Sequence, residues 1–140
     1  MKVTMLLADA AQVSEGKLYV LGAGWRFTGP EPVASAIALI FEIPWDRANE
    51  PIPFDLQLVD ADGQTSVLPD GGELRVEGQI EVGRPPGHPP GESISAPMAA
   101  GVGALPLEPG TYEWRLTVDG ESSADWTLPF VVRRSAPQGA

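Results

Sequence analysis

Apolar and polar residues alternate one by one along much of the chain, and this period of two constrains the fold more than any other feature. In residues 110–120 (GTYEWRLTVDG), Tyr112, Trp114, Leu116 and Val118 are each separated by one polar residue. Successive side chains of a β-strand point to opposite faces, so this pattern is typical of a strand with one buried and one solvated face. The alternation recurs in residues 54–58, 74–82 and 126–132.

The composition and the turn motifs favour strands throughout. With 15 prolines and 16 glycines, the chain has little room for a helix of ten or more residues. Turn motifs such as DADG (60–63), EPG (108–110) and DGES (119–122) separate the alternating segments. We therefore predict an all-β fold: an antiparallel β-sandwich, Ig-like or Greek-key in the broad sense, with about seven to nine strands. The predicted strands lie near residues 2–8, 17–26, 35–43, 52–60, 73–82, 93–107, 111–119 and 125–133.

The length of 140 residues is typical of a single domain with one core. We predict this domain over residues 1–134 and a disordered tail over residues 135–140. The chain has no cysteine, which is compatible with a reducing compartment. Asp9 interrupts the apolar start before a signal peptide could form, and no apolar run is long enough to cross a bilayer. These features predict a soluble, cytoplasmic protein.

The net charge of −10 is unevenly distributed. Residues 31–70 contain eight acids and a single basic residue, Arg47. A negative field repels phosphate, so we expect neither nucleic acid nor a membrane surface as a partner. A solubilising surface is favoured over a docking site for a basic partner.

Residues 36–43 (AIALIFEI) depart from the alternation because they are apolar on both faces. Such a strand is usually central in a sheet whose outer face is also covered. The alternative is an interface between subunits, and a homo-oligomer is a candidate state on that basis. The candidate self-association strand consists of Ile37, Ala38, Leu39, Ile40 and Phe41.

Three residues predict local features of strands. Gly78 interrupts an apolar set and indicates a bulge or a close approach. Pro129 cannot donate to a β-ladder and so marks an edge or a bulge. Tyr112 follows a Pro-Gly turn and is a candidate for a tyrosine corner, in which the hydroxyl bonds upstream backbone; an ordinary core tyrosine is equally compatible.

Residues 83–93 (GRPPGHPPGES) contain four prolines and the only histidine, His88. The segment could be a polyproline ligand, but a stiff connection between strands is favoured. One histidine supports neither a catalytic triad nor a His-rich metal site, and we predict that His88 is a solvated loop residue.

A possible ligand surface is formed by two tryptophans and two acids: Trp25, Trp45, Asp60 and Asp62. Both tryptophans stand near predicted strand ends, where they could line a sugar-binding groove. Residues 60–63 begin like a calcium loop, but the glycine falls at the fourth position, and Asp-Gly is also a preferred hairpin turn.

No motif appears with the context that catalysis or a cofactor would need. We predict no catalytic residue, no metal and no cofactor, and a non-enzymatic binding or assembly module with a protein partner or a second copy of itself. One alternative is a small-ligand module for sugar or calcium on the surface just described. A hydrolase that uses paired carboxylates is another.

The segments MLLADAAQVSEGKLYVLGAGWRFTG, FEIPWD and LPLEPGTYEWRLTVDGE, with FVV near the end, resemble an uncharacterised family of small all-β proteins of actinobacterial type. The resemblance covers nearly the whole chain and implies a stand-alone cytosolic sandwich. It implies no activity, ligand or site residue.

Overall fold

The computed structural model describes residues 1–31, 34–66 and 71–134. In these ranges the chain forms ten strands and one three-residue 3₁₀ helix, Trp45–Arg47, so no described helix could cross a membrane. The all-β prediction is confirmed, with one strand more than the upper end of the predicted range. The predicted disordered tail, 135–140, lies outside the described residues. The strands are β1 (Lys2–Ala8), β2 (Ala10–Ser14), β3 (Lys17–Leu21), β4 (Phe27–Thr28), β5 (Ala34–Ile43), β6 (Ile52–Asp60), β7 (Arg75–Ile80), β8 (Ile94–Ala104), β9 (Gly110–Val118) and β10 (Glu121–Val132).

The described strands form three sheets. The small sheet has the order β1-β5-β8, and the large sheet has the order β4-β10-β9-β6-β7. Strands β2 and β3 form a separate hairpin. All pairs are antiparallel except β4 with β10, which are parallel. Residues 83–93 connect β7, at one edge of the large sheet, to β8, at one edge of the small sheet, as the connector interpretation predicts.

The inward faces of the small and large sheets share one apolar core. Phe41 on β5 contacts Phe54 on β6 with ring centroids 5.5 Å apart, and Trp114 on β9 is fully buried. No polar or charged residue is buried among the described residues. Each fully buried large side chain stabilises the fold by roughly 1.5–3 kcal/mol, so burial of apolar surface dominates.

The β2–β3 hairpin forms a third layer, because β2 packs across β5 and β8 on the outer face of the small sheet. The floor under it is made of small side chains: Ala8 pairs with Ala36, and Ala38 lies on the same face of β5. Alanine lets the hairpin backbone approach closely, so β5 is buried on both faces within one chain.

The predicted self-association strand, 37–41, forms the middle of the central strand of the small sheet. Strand β5 has hydrogen-bonded neighbours on both edges. Four of the five side chains are buried within the chain, and Ile40 is half-buried. The central-strand interpretation of the same pattern is confirmed.

The three local predictions are confirmed. A Cβ at Gly78 would lie 2.9 Å from Cζ of Phe54, so the glycine permits a close approach. Pro129 lies on a part of β10 that β4 does not reach, because the β4 pairing begins at Val131. The Tyr112 hydroxyl donates a 2.7 Å hydrogen bond to the Glu108 carbonyl.

Strand β2 was not among the predicted strands. Its sequence, AAQVS, lacks large alternating apolar residues, so periodicity gives no signal. The turn that follows is a two-residue type I′ turn, since Glu15 and Gly16 have φ values of 52° and 73°. Glycine favours the left-handed conformation that this turn needs. Glutamate does not, so the sequence Glu15-Gly16 does not predict a type I′ turn.

Candidate binding surfaces

The four residues predicted as one ligand surface do not lie together. Trp25 shares a cavity with Ser35, at the beginning of β5, whereas Trp45 follows the end of the same ten-residue strand. A strand of that length separates the two tryptophans by roughly 30 Å. Asp60 is the register partner of Tyr112 on β9. The Tyr112 ring stacks on Phe130, which also contacts Trp25, so Asp60 lies at the same end of the molecule as Trp25.

Asp60 shapes a turn. Its Oδ1 accepts backbone hydrogen bonds from Asp62 (2.9 Å) and Gln64 (3.0 Å), which closes an Asx turn between β6 and the following loop. Across residues 1–31, 34–66 and 71–134, no group of three or more acids or histidines is arranged to hold a metal ion. The hairpin interpretation of DADG accounts for these contacts.

Trp45 is covered by the Pro-rich connection of its own chain. The Arg84 guanidinium carbon lies 4.1 Å from the Trp45 ring centroid and Nη2 donates to the Trp45 carbonyl at 2.9 Å. The His88 ring stacks on Trp45 at 5.8 Å and 10°, and its Nε2 lies 3.0 Å from the Glu92 carbonyl oxygen. His88 is half-buried, so the prediction of a solvated loop histidine is wrong: the ring anchors the loop.

Arg47, within the 3₁₀ helix that begins at Trp45, links two loops at the Trp45 end of the molecule. It pairs with Glu50 at 3.0 Å and with Asp119, in the turn between β9 and β10, at 3.0 Å. The hydrogen bond to Glu50 and the charge of Asp119 raise the pKa of the Arg47 guanidinium. These contacts fill the Trp45 end with groups of the same chain.

The outer face of the large sheet is polar. Asp55 and Glu77 lie opposite each other and share Arg75, at 2.9 and 3.0 Å. The hydrogen bond to Asp55 raises the pKa of Arg75. Glu113 pairs with Arg115 at 2.7 Å. Each of these three carboxylates thus pairs with an arginine of the same sheet.

The outer face of the β2–β3 hairpin carries two large exposed apolar side chains. Tyr19 and Leu21 project from β3 on the same side, with 54% and 71% of their surfaces exposed. Ser14 and Lys17 flank the two-residue turn and exchange backbone hydrogen bonds, so Leu18 and Val20 turn their backbone groups away from β2. Among the described strands, none pairs with that edge of β3.

A cleft opens beside Trp25, with a volume of about 580 Å³. Its wall includes Asp9, residues 22–25, Phe27, Ser35 and Arg133. A small, mainly apolar niche of about 30 Å³ adjoins it, and its lining includes Trp25, Trp114, Phe130 and Val132 together with the polar Glu31. We call the two together the Trp25 cleft.

Trp25 forms the wall between the two parts of the cleft. Its ring contacts Phe130 edge to face at 5.8 Å, and its Nε1 is buried without an acceptor. Sequence reasoning identified Trp25 but missed Asp9 and Arg133. The two are 124 positions apart in the sequence, and no pattern links them. They line the same cleft because the β1–β2 junction, the β3–β4 connection and the end of β10 meet there.

The glycines of the β3–β4 connection permit this arrangement. Gly22 has a φ of 63°, and a Cβ there would collide with the Asp9 carboxylate. The Gly24 amide donates to the Leu7 carbonyl at 2.7 Å, which holds the connection against β1. Residues 22–25 thus carry the chain from the hairpin to the cleft wall.

The comparison with known proteins gives one family. The model of DUF6941, a family of unknown function, matches residues 3–133. No curated protein and no solved structure matches the chain significantly.

Proposed function

Because this chain belongs to DUF6941, a family of unknown function that it matches over residues 3–133, we propose a function from its own surface. The chain is a non-enzymatic assembly module that associates with a second copy by pairing β3 of one chain with β3 of the other. The observation that carries the proposal is strand β3, which combines two exposed apolar side chains with an edge that no described strand pairs.

The distribution of exposed apolar side chains supports this assignment. All large apolar side chains that are exposed among the described residues lie in the first 27 positions, and the two on the outer face of β3 are among the most exposed. Exposed apolar surface next to an unpaired edge is the usual setting for strand addition. The large sheet also ends in an edge strand, β7, but the outer face beside that edge is polar and ion-paired and carries no large exposed apolar side chain among the described residues.

The charge distribution favours a second copy over a basic partner. Residues 1–30 contain three basic residues and two acids, a net charge of +1, so the remaining residues carry −11. Two copies that approach through their acidic parts repel each other, whereas the hairpins are almost neutral. A basic partner would instead be attracted to the acidic remainder.

The sequence of β3, KLYVL, is compatible with a two-fold axis through Tyr19. Antiparallel pairing about that axis places Leu18 opposite Val20 of the second copy, and these are the residues whose backbone groups face outward. The pairing would form about four backbone hydrogen bonds. It would also bring the two Tyr19 rings together.

The proposal has three further parts: the fold type, the location and the absence of enzymatic activity. The facing small and large sheets are consistent with a β-sandwich in the broad Ig-like sense. The absence of cysteine is consistent with a cytoplasmic location. The proposal that the chain is no enzyme rests on carboxylates that are paired with arginine or used in turns.

The test is the mass in solution, measured by light scattering across a concentration series. We expect the wild-type chain to form a dimer and Val20→Pro to be monomeric, since proline removes an outward-facing donor without breaking the hairpin ladder. Leu21→Lys should weaken the dimer by about tenfold, the equivalent of about 1.4 kcal/mol. Gln79→Lys, an exposed strand position of the large sheet, is the matched control and should leave the dimer unchanged.

A wild-type monomer at every concentration would contradict the proposal. A dimer that Gln79→Lys weakens as much as Leu21→Lys would place the interface elsewhere. Far-ultraviolet circular dichroism of each variant separates loss of pairing from loss of folding.

A further inference from the structure

We infer that the Trp25 cleft binds a small zwitterion with an aliphatic part, of the chemical class of a free apolar α-amino acid. This site does not depend on the pairing of β3, so either proposal can fail without the other.

The shape of the cleft calls for a ligand with two different ends. The wide part, about 580 Å³, includes both charged groups, Asp9 and Arg133. The adjoining niche of about 30 Å³ has a mainly apolar lining, which includes Leu107, Trp114, Phe130 and Val132, with Glu31, Thr28 and Ser35 as its polar members. The niche has room for the end of a branched aliphatic side chain and not for an aromatic ring. A ligand that fits both parts places a short aliphatic side chain in the niche and its polar groups in the wide part.

The charges at the opening select a zwitterion. Arg133 and Asp9 both line the wide part. Among the described residues neither is in a salt bridge, with the other or with any third group, although five such pairs form elsewhere. The Arg133 guanidinium is held over the Phe27 ring at 5.1 Å, which orients it without neutralising it. An arginine in this state accepts a carboxylate, and Asp9 accepts an ammonium group.

The indole of Trp25 supplies a spectroscopic probe at the wall of the cleft. Its Nε1 is buried and has no acceptor among the described residues. Buried donors almost always have a partner, and an exception needs an explanation. Since this N–H has almost no accessible surface, it serves as a reporter beside the cleft and not as a direct contact of the ligand.

Among the residues that the structure describes, the surroundings of Trp45 and the outer face of the large sheet lack the free binding groups of the Trp25 cleft. Trp45 is covered by Arg84 and His88, and its carbonyl is already bonded to Arg84. The depressions on the outer face of the large sheet are lined by Arg75 with its two acids in place. Only at Trp25 do an apolar niche, unpaired charges of both signs and an unpartnered donor occur together within the described residues.

The experiment uses three probes that differ by one group each: L-leucine, 4-methylpentanoate, which lacks the ammonium group, and 3-methylbutylamine, which lacks the carboxylate. Binding is followed by ¹H–¹⁵N correlation spectra of the full chain through the indole N–H signals, with the signal of Trp25 identified from Trp25→Phe. We expect L-leucine to shift the Trp25 indole signal. Each truncated probe should bind at least about tenfold more weakly, as expected for loss of one charged hydrogen bond.

Two exposed positions supply the variants. Arg133→Gln should weaken L-leucine by about tenfold and leave 3-methylbutylamine unchanged. Asp9→Asn should weaken L-leucine similarly and leave 4-methylpentanoate unchanged. Arg134→Gln, the neighbouring cation that does not line the cleft, is the matched control for charge and should leave all three probes unchanged.

Three results would overturn the inference: no shift of the Trp25 indole signal with L-leucine, equal binding of the three probes, or an effect of Arg134→Gln as large as that of Arg133→Gln. The first denies a ligand of this class, and the other two deny that the paired charges recognise it. Melting curves of the variants show that a loss of binding is not a loss of fold.

Discussion

Trp25 and Trp45 look alike in the sequence, yet the structure gives them opposite surroundings. Each is half-buried and stands next to a strand end. Trp45 carries Arg84 and His88 on its ring, and the Pro-rich connection closes over it. Trp25 leans on Phe130 and lines an open cleft, with its indole N–H unpartnered.

The difference lies in what the neighbouring loop supplies. The segment beside Trp45 has four prolines, an arginine and a histidine, which hold a fixed shape and supply both a cation and a ring. The segment before Trp25 is LGAG, whose glycines have no side chain to place on the indole. A rigid loop with long side chains covers its tryptophan and packs it into the fold. A glycine-rich loop leaves its tryptophan accessible.

The largest expected effect is at the closed tryptophan. Trp45→Ala removes the platform for Arg84 and His88, so we expect the free energy of unfolding to fall by about 3 kcal/mol, at the low end for a buried Trp→Ala change because Trp45 is half-buried. Hydrogen exchange in residues 83–93 should increase, whereas Trp25→Ala should leave exchange there unchanged. Equal exchange of residues 83–93 in the two variants would break the comparison.

The second prediction concerns the Pro-rich connection, residues 83–93, that covers Trp45. Replacing the four prolines of residues 83–93 with serine should lower the free energy of unfolding by about 2 kcal/mol, because each proline restricts the unfolded chain. Denaturant unfolding measures the change, and the same replacement at Pro129 alone serves as a single-proline control. An unchanged midpoint for the fourfold variant would mean that Trp45 positions the loop without the help of proline.

Much of the fold could be predicted from the sequence because the core is built from alternation. Strands β6, β9 and β10 bury every second side chain, and period-two reasoning locates them. The hairpin layer could not be predicted in the same way. Its first strand, AAQVS, has no large apolar residue on alternate positions, and it packs on alanines that give no periodic signal.

The candidate site was predicted less well than the fold, for a related reason. Trp25 is recognisable as an open aromatic residue, but Asp9 and Arg133 become neighbours only through the packing of distant strands. The pairing of Trp25 with Trp45 and Asp62 in one surface was an inference from residue type. Residue type does not state which end of a strand a loop occupies.

Tyr112 stacks on Phe130, which contacts Trp25, and makes the stability of the fold depend on pH. Burial, with the charges of Glu108 and Asp60, raises the pKa of Tyr112 above its ordinary value of 10.0. A raised folded-state pKa means that this stabilisation is complete below pH 10 and is lost as the pH rises through the folded value. We expect wild-type stability to fall above about pH 10 and Tyr112→Phe to lack that component.

The same substitution has a cost at neutral pH. Tyr112→Phe removes the hydrogen bond to the Glu108 carbonyl and should lower the free energy of unfolding by about 1 kcal/mol. Tyr19→Phe is the control, measured at a chain concentration low enough to keep every variant monomeric, and should keep the alkaline loss that Tyr112 causes. An identical pH profile for the wild-type chain and Tyr112→Phe would contradict the role of Tyr112.

The smallest expected effect is at the open tryptophan and is the sharpest test of the contrast. Trp25→Phe keeps an aromatic ring against Phe130 and removes an N–H that is buried without an acceptor. Removing an unpartnered donor offsets the loss of ring area, so the free energy of unfolding should stay within about 0.5 kcal/mol of the wild-type value. Trp45→Phe, by contrast, shrinks a ring that two side chains cover and should destabilise the chain. If denaturant unfolding gave Trp25→Phe the larger loss, the Trp25 indole would be a structural element, and the open cleft would lose its distinguishing donor.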